Sequence, residues 1–371
     1  DIRARLARQP LARVLSLCVP REQDCAPLPL TRGTAALPPG AELLRLTASA
    51  SDRGLGLGPL DVFVNGRNAG RHAPPASDAA VTMDIPLDPG PNSIELRLYD
   101  AGGAIFTGTA PLALARDSPA AAPGQGRLFV LAIGVNRFGN PALALRFAAA
   151  DARAFAERVR AAAAPLYSEV VPTVLLDGDA TRTNILATFD RLSREIRPTD
   201  TFLFYVASHG VLDEATDRFL LVPSDLADTS SWRAMANQAI DETTLVSALS
   251  RIEARDALLF LDTCHSGKVT ADTLSNMGHE TGRYLLTAST SVQEALDSYD
   301  NRNGVFLYAV AEALSGRAGQ DSDGNLGALS LGEYVSRRVG QLARQKGHDQ
   351  DALFRAAQQD LRSFPVARMG K

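Results

Sequence analysis

This chain has few lysines and no large excess of charge of either sign. Of its 38 basic residues, only Lys268, Lys346 and Lys371 are lysines, and 42 acidic residues leave a formal net charge of −4. A balance so near neutrality argues against a nucleic-acid or anionic-membrane partner. Long apolar runs are missing too: stretches such as 128–133 fall far short of the roughly 18–20 residues that cross a bilayer, so no membrane span is expected.

Cysteine is equally scarce, with three in 371 residues. Cys18 and Cys25 lie seven positions apart, and no neighbouring Cys or His pair completes a zinc site, so metal binding is disfavoured. Two alternatives stay open for this pair: a small disulfide-closed loop in an oxidising compartment, or two ordinary thiols. Cys264 is the odd one out, and an odd cysteine in a chain with histidines elsewhere is a candidate nucleophile.

The length predicts two or three domains. Residues 1–40 have no clear period, after which short apolar segments alternate with turn residues such as Asn65-Gly66 and Pro89-Gly90. This pattern predicts an all-β sandwich, immunoglobulin-like, over residues 1–114. Its predicted strands span residues 43–50, 60–64, 81–87, 93–99 and 105–114.

A change of composition predicts a linker over residues 115–126, rich in Ala, Pro and Gly. Residues 127–371 then alternate strand and helix patterns, which predicts an α/β domain with a mostly parallel sheet flanked by helices on both faces. Predicted strands cover 128–135, 170–176, 201–207, 257–262 and 284–288, and predicted helices cover 148–164, 183–196, 244–253, 305–314 and 331–343.

Two of these strands run directly into residues that can carry chemistry. Residues 201–207 lead into Ser208-His209-Gly210, and residues 257–262 lead into Thr263-Cys264-His265-Ser266-Gly267. If the strands are neighbours, His209 and Cys264 emerge together at one sheet edge, as acyl transfer by a thiolate and an imidazole requires. The N–H groups of Gly210 and Cys264 are candidates for an oxyanion hole. His265 is the poorer partner, because adjacent side chains on an extended segment point apart.

These residues carry a resemblance to a known family. Two segments resemble the catalytic signature of caspase-like cysteine peptidases, especially metacaspases and their bacterial relatives. They are Ser208-His209-Gly210 and Asp262-Thr263-Cys264-His265-Ser266-Gly267. Supporting matches are Ile133-Gly134-Val135-Asn136, Asp151-Ala152, 219–225 and Gly304-Val305-Phe306, and the resemblance covers roughly residues 128–365. One departure is Ser208, where metacaspases usually carry glycine.

The resemblance implies a cysteine endopeptidase in which Cys264 attacks the peptide carbonyl and His209 protonates the leaving amine. It also implies that Asp151 and Asp262 line the first specificity pocket, where two carboxylates select Arg or Lys before the cut. The plainer reading of Asp151 is a helix N-terminal charge that complements the helix dipole. Two other functions stay open: a catalytically silent scaffold of the same fold, and a Cys-His amidase acting on a non-peptide substrate.

No obligatory cofactor is expected. One segment looks like the start of a calcium-binding loop: Asp321-Ser322-Asp323-Gly324-Asn325. The calcium loop then needs Gly and Glu at positions where this chain has Leu326 and Gly332, which favours a solvated turn. Stimulation by calcium stays open. The stretch 267–282 after Cys264 is polar, with Lys268 inside it and Arg283 just beyond. In the family that the chain resembles, such a loop is often where self-cleavage occurs, so the resemblance implies self-cleavage within 268–283. The chain begins with Asp1 and not with Met, which predicts that it is a fragment or a processed product. Its location stays open between the cytoplasm of a bacterium and export from it.

Overall fold

The computed structural model describes residues 2–21, 24–31, 33–73, 76–103, 105–116, 126–213, 218–266, 281, 283–288, 299–300, 302–355 and 363–368. Within those ranges the side chains of residues 2, 4, 212–213, 218 and 264–266 lie outside the description. The chain divides into two compact units, Asp1–Ala121 and Ala122–Lys371. Most of the predicted linker, residues 117–125, falls outside the described residues, whereas Ala115 ends the last strand of the first unit.

The first unit is built of strands in two sheets. Its elements are α1 (Ile2–Leu6), β1 (Leu11–Pro20), β2 (Cys25–Pro27), β3 (Thr34–Ala36), β4 (Leu43–Ser51), β5 (Leu60–Val64), β6 (Arg67–His72), β7 (Ala80–Pro86), β8 (Pro91–Tyr99), β9 (Phe106–Gly108) and β10 (Leu112–Ala115). The sheet orders are β2-β1-β4-β7 and β3-β10-β8-β5-β6, with β9 paired to β8. Alternate residues of both sheets, such as Leu44, Leu46, Leu96 and Leu98, fill one core, so this all-β unit is compatible with an immunoglobulin-like domain.

Cys18 and Cys25 form a disulfide in this unit. The bond joins β1 to β2, which pair in an antiparallel hairpin with Cys25 opposite Pro20. Of the two alternatives that the sequence left open, the structure therefore contains the closed loop.

Two parts of this unit differ from what the sequence predicted. β1 lies in the region without a clear period, because a register shift between Val14 and Ser16 breaks the alternation of buried residues along it. The single strand predicted over 105–114 is wrong: it is two strands, interrupted before Leu112. Pro111 lies in the gap, and proline has no N–H to donate to a sheet ladder.

The second unit has the predicted α/β architecture. Its strands are β11 (Arg127–Gly134), β12 (Glu169–Leu176), β13 (Thr201–Asp213), β14 (Arg218–Leu221), β15 (Ile240–Asp241), β16 (Asp256–Ser266), β17 (Tyr284–Thr287), β18 (Asn325–Gly327), β19 (Leu353–Arg355) and β20 (Pro365–Arg368). Its helices are α2 (Ala148–Ala163), α3 (Arg182–Glu195), α4 (Trp232–Gln238), α5 (Glu242–Ser250), α6 (Val305–Glu312) and α7 (Ala328–Gln345). Single turns occur at Pro141–Leu143, Asp177–Asp179 and Ala313–Arg317.

The main sheet of this unit has the order β12-β11-β13-β16-β17-β19. Its first five strands pair in parallel and β19 joins antiparallel. One face packs against α2, α6 and α7 through residues such as Phe155, Val310 and Val335. The other face packs against α3 and α5 through residues such as Phe189 and Leu249. This arrangement confirms a mostly parallel sheet with helices on both faces.

The strands that carry the chemical motifs are longer than predicted. β13 continues six residues past its predicted end at Ala207, to Asp213, and β16 continues past Asp262 to Ser266. His209 and Cys264 therefore lie within paired strands and not in the loops that follow them. Among the described residues, no helix is both long enough and apolar enough to cross a membrane.

Candidate active site

His209 and Cys264 lie side by side in the sheet. The parallel register of β13 and β16 makes the two residues direct Cα partners, and Gly210 then pairs with His265. Neighbouring strands are about 4.8 Å apart, so the register brings the two backbones as close as the sheet geometry allows. The side chains of Cys264 and His265 lie outside the described residues, so the relationship is one of backbone position.

The half-buried imidazole of His209 contacts Leu143 and Phe138. Its Nε2 lies 2.7 Å from the main-chain carbonyl oxygen of Leu143, and the Phe138 ring packs against it with centroids 5.2 Å apart. Because a carbonyl oxygen only accepts, Nε2 carries the proton of this hydrogen bond. The ring is thus held in one orientation and one tautomer, with Nδ1 as its other nitrogen.

The loop that supplies Leu143 is anchored from two sides. At its start, the N–H groups of Asn136 and Arg137 donate to one oxygen of Asp177, at 2.8 and 2.9 Å. Farther on, the N–H of Gly139 donates to the carbonyl of Ser224 at 2.8 Å. These bonds hold the loop that carries the Leu143 carbonyl, and the Leu143 side chain also packs against the core on the side of α3 and α5.

Ser208, the departure from the metacaspase pattern, has a structural role here. Its side chain is buried, and its hydroxyl donates to the carbonyl of Val222 at 2.7 Å. The N–H of Val222 in turn donates to the carbonyl of His209 at 3.1 Å. Ser208 therefore ties the end of β14 to the strand that carries the histidine.

Gly210 directs its backbone groups toward β16. The carbonyls of Ala207 and His209 accept hydrogen bonds from Val135 and Val222, which lie on the opposite side of β13. Backbone groups of successive residues in a strand point to opposite sides, so the N–H of Gly210 points into the ladder with β16. It lies between the strand of the histidine and the strand of the cysteine.

Asp262 lies on β16 two residues before Cys264 and is half-buried. One of its oxygens, Oδ2, accepts a hydrogen bond of 2.7 Å from the hydroxyl of Tyr205 on β13. Burial raises the pKa of Tyr205 well above its ordinary value, and the negative charges of Asp262 and Asp151 raise it further. Asp262 therefore contacts this tyrosine hydroxyl directly, whereas Asp151 acts on its pKa only through its charge.

Asp151 lies in the first turn of α2 and is 3% exposed. Its two oxygens accept hydrogen bonds from Asn303 Nδ2 at 2.8 Å and from the N–H of Gly304 at 3.0 Å. The helix start reaches this position because Gly134 on β11 has no side chain: a Cβ there would lie 2.7 Å from the Cα of Ala149. The sequence signals for this placement are Gly134 and the Gly304-Val305-Phe306 segment.

Three features of the site were not predicted from the sequence. The carbonyl of Leu143 is a backbone group, and neither residue type nor spacing identifies it. Tyr205 resembles any other apolar residue of a buried strand. Asn303 gave no signal of its own, although it directly precedes the Gly304 segment that the sequence did indicate.

The described residues contain no cluster of three or more His, Cys, Asp or Glu that could hold a metal ion. In the loop with the calcium-like pattern, Asp321 Oδ1 instead accepts the N–H groups of Asp323 and Asn325, at 2.9 and 2.8 Å. These backbone bonds lower the pKa of Asp321. The segment is a turn stabilised by its own aspartate.

The segment predicted to be self-cleaved lies mostly outside the described residues, including Lys268. Arg283 at its end is described and is 3% exposed. Its guanidinium donates to the carbonyls of Ile252, at 2.7 Å, and of Ala254 and Arg255. Arg283 thus stabilises the turn that follows α5.

Comparison with known proteins gives a family and two weak structural similarities. The chain is similar to a protein from Geobacter sulfurreducens, with 17% identity over 66% of this chain and 100% of the other, and a TM-score of 0.45. It is also similar to fibronectin(III)-like modules of Clostridium thermocellum CbhA, with 20% identity over 26% of this chain and 97% of the other, and a TM-score of 0.18. These TM-scores are too low to support an argument.

No curated protein matches the chain. The family model of the caspase domain matches residues 127–361, which is well over half of the chain. The matched range contains the main sheet, the paired His209 and Cys264, and Asp151 and Asp262. The chain belongs to the caspase-domain family of peptidases.

Proposed function

We propose that this protein is a cysteine endopeptidase that hydrolyses peptide bonds after Arg or Lys through a Cys264-His209 dyad. The observation that carries the proposal is the β13–β16 register, which makes these two residues direct partners at the carboxyl end of a parallel sheet. Membership of the caspase-domain family supports a peptidase that acts on protein substrates.

In the proposed reaction Nδ1 of His209 accepts the thiol proton of Cys264, and the resulting thiolate attacks the peptide carbonyl carbon and forms a carbon–sulfur bond. Collapse of the tetrahedral intermediate breaks the carbon–nitrogen bond, and His209 gives its proton to the leaving amine. Water then attacks the thioester carbon while His209 accepts a proton from it, and the carbon–sulfur bond breaks. The carboxylate product leaves and Cys264 is regenerated. Because Nε2 of His209 donates to Leu143, Nδ1 is the nitrogen that would exchange these protons.

The N–H groups of Gly210 and Cys264 are the proposed oxyanion donors. Since the N–H of Gly210 points toward β16, it lies on the side of β13 from which a carbonyl beside Cys264 would approach. Gly210 pairs with His265 in the ladder between β13 and β16. A substrate carbonyl would therefore have to replace β16 as the acceptor for the N–H of Gly210.

The preference for Arg or Lys rests on the two carboxylates. Asp262 and Asp151 come from different elements, β16 and α2, yet the charge of both acts on the Tyr205 hydroxyl. Two carboxylates held by hydrogen bonds disfavour an acidic substrate side chain and favour a cationic one, with Arg able to pair through two parallel hydrogen bonds.

Covalent labelling separates the proposed enzyme from its alternatives. A peptide electrophile that ends in Arg should label Cys264 of the full chain, and His209→Ala should slow labelling and abolish turnover of the matching peptide substrate. A silent scaffold would take up no label, and a non-peptide amidase would react with a small electrophile but not with the peptide. Either of those results would overturn the proposal.

A further inference from the structure

Tyr205 contacts both elements that carry the proposed pocket carboxylates. Its side chain is fully buried, and its ring stacks on Phe155 of α2, with centroids 4.6 Å apart and planes at 19°. Phe155 also packs edge-on against Phe260, at 4.9 Å. These rings join α2, which carries Asp151, to β16, which carries Asp262.

The hydroxyl of Tyr205 is a constant donor to Asp262. The pKa of Tyr205 is raised well above its ordinary value by burial and by the charges of Asp262 from β16 and Asp151 from α2. The raised pKa keeps the hydroxyl protonated, and able to donate, around neutral pH. A neutral donor at 2.7 Å favours the charged carboxylate and fixes its orientation without neutralising its charge.

We propose that Tyr205 is a positioning residue of the specificity pocket: its hydroxyl holds the Asp262 carboxylate in the orientation that receives a cationic substrate side chain. This inference rests on the proposed function, because it assigns the role of Tyr205 in the same pocket. The hydroxyl of Tyr205 is hydrogen-bonded to Asp262 and not to the reacting atoms. Tyr205 should therefore affect the binding of the substrate cation and not the reactivity of the nucleophile.

Tyr205→Phe tests the inference, because it removes the hydroxyl and keeps the ring that stacks on Phe155. The variant loses a hydrogen bond to a charged group, so kcat/KM for an Arg peptide should fall by about tenfold or more. The fall should come mainly from a higher KM. The acid limb of the pH profile of kcat/KM should move to higher pH, because the carboxylate loses a donor that favours its charged form. Alkylation of Cys264 by iodoacetamide, which has no cationic group, should keep its rate.

Tyr284→Phe is the matched control. Tyr284 is also a buried strand tyrosine that stacks on a phenylalanine, but its hydroxyl has no hydrogen-bond partner in the described part of the chain. Its removal should leave the kinetics of the Arg peptide and the pH profile unchanged. Thermal unfolding of both variants checks that each is folded.

A double-mutant cycle with Asp262→Asn completes the test. If Tyr205 acts through Asp262, Tyr205→Phe should cost little further activity in the Asp262→Asn protein. Three results would each overturn the positioning role alone. They are additive losses of activity in the Tyr205→Phe and Asp262→Asn variants, equal losses of activity in Tyr205→Phe and Tyr284→Phe, and slower alkylation of Cys264 by iodoacetamide in Tyr205→Phe. A folded wild-type protein that cleaves no Arg or Lys peptide would overturn the proposed function together with it.

Discussion

Nε2 of His209 donates to the main-chain carbonyl of Leu143 across 2.7 Å. The acceptor belongs to a loop between β11 and α2, whereas the donor belongs to β13, so the bond links the sheet edge to the segment that leads into Asp151. The bond sets the tautomer of the imidazole. The same loop therefore orients the proposed general acid and leads to the helix of one proposed pocket carboxylate.

The dyad gives the first prediction. Cys264→Ala should abolish hydrolysis of Arg peptides, and His209→Ala should reduce it by orders of magnitude, because the proton transfers that accompany acyl chemistry are lost. His265→Ala serves as the control, since His265 pairs with Gly210 and is the neighbour of the proposed nucleophile. Initial rates on one fluorogenic Arg peptide compare the three variants.

The reverse pattern would contradict the dyad. If His265→Ala is folded and inactive while His209→Ala retains activity, then His265 is the proton-transfer residue and the register of β13 and β16 does not mark the active pair.

The fold was predictable from the sequence where periodicity is regular. Continuous apolar runs such as 128–135 and 257–262 mark buried parallel strands, and both were confirmed within a few residues. β1 was missed because its register shift between Val14 and Ser16 moves its buried residues from one parity to the other. The extension of β13 to Asp213 was missed because polar residues and glycine normally end a strand pattern.

The site was predictable only as far as side-chain types reveal it. His209, Cys264 and the two aspartates stand out as chemical groups at strand ends and at a helix start. The carbonyl of Leu143 has no such signature, because every residue carries one. The importance of Tyr205 depends on its hydroxyl meeting Asp262 from a neighbouring strand 57 residues away in sequence, which only the register determines.

Gly134 gives the second prediction. Gly134→Ala should destabilise the caspase domain by about 1–3 kcal/mol, as overpacking does, because the new Cβ meets the backbone of Ala148 and Ala149 at the start of α2. If α2 shifts in response, kcat/KM for Arg peptides should fall while iodoacetamide still alkylates Cys264. Gly178→Ala is the control, since a Cβ there has no atom within 4 Å. Equal unfolding midpoints for both variants would contradict this packing role.

Self-processing gives the third prediction. Lys268 and Arg283 are the basic residues of the stretch 268–283, and Arg283 is buried against three backbone carbonyls. Cleavage after a basic residue in this stretch should therefore occur after Lys268. Mass spectrometry of aged wild-type protein should find that cut, and Lys268→Gln and Cys264→Ala should both abolish it. A cut after Arg283, or an intact chain in a sample that cleaves Arg peptides, would contradict the prediction.

The disulfide gives the fourth prediction. Cys18 and Cys25 close a short loop, and loops of this size stabilise a folded domain by about 2–3 kcal/mol through the entropy of the unfolded chain. Replacement of both cysteines by serine should lower the unfolding midpoint of the first unit and leave that of the caspase domain unchanged, as measured by calorimetry of the full chain. Dithiothreitol should reproduce the shift in the wild-type protein. An unshifted midpoint in the double variant would show that the bond adds no stability.

Substrate preference gives the last prediction, which depends on the carboxylates of Asp151 and Asp262. Asp262→Asn should lower kcat/KM for Arg and Lys peptides by about a hundredfold or more, a loss of about 3 kcal/mol in transition-state binding, because the substrate cation is left without its nearest charge. Asp151→Asn should have a smaller effect, since Asp151 is also held by Asn303 and Gly304. Matched peptides with Arg, Lys, Asp or Leu before the scissile bond measure the preference of the wild-type protein and both variants. Faster cleavage after Asp would rule out the pocket assignment and leave the dyad intact, because the thiol and the imidazole do not depend on which side chain the pocket accepts.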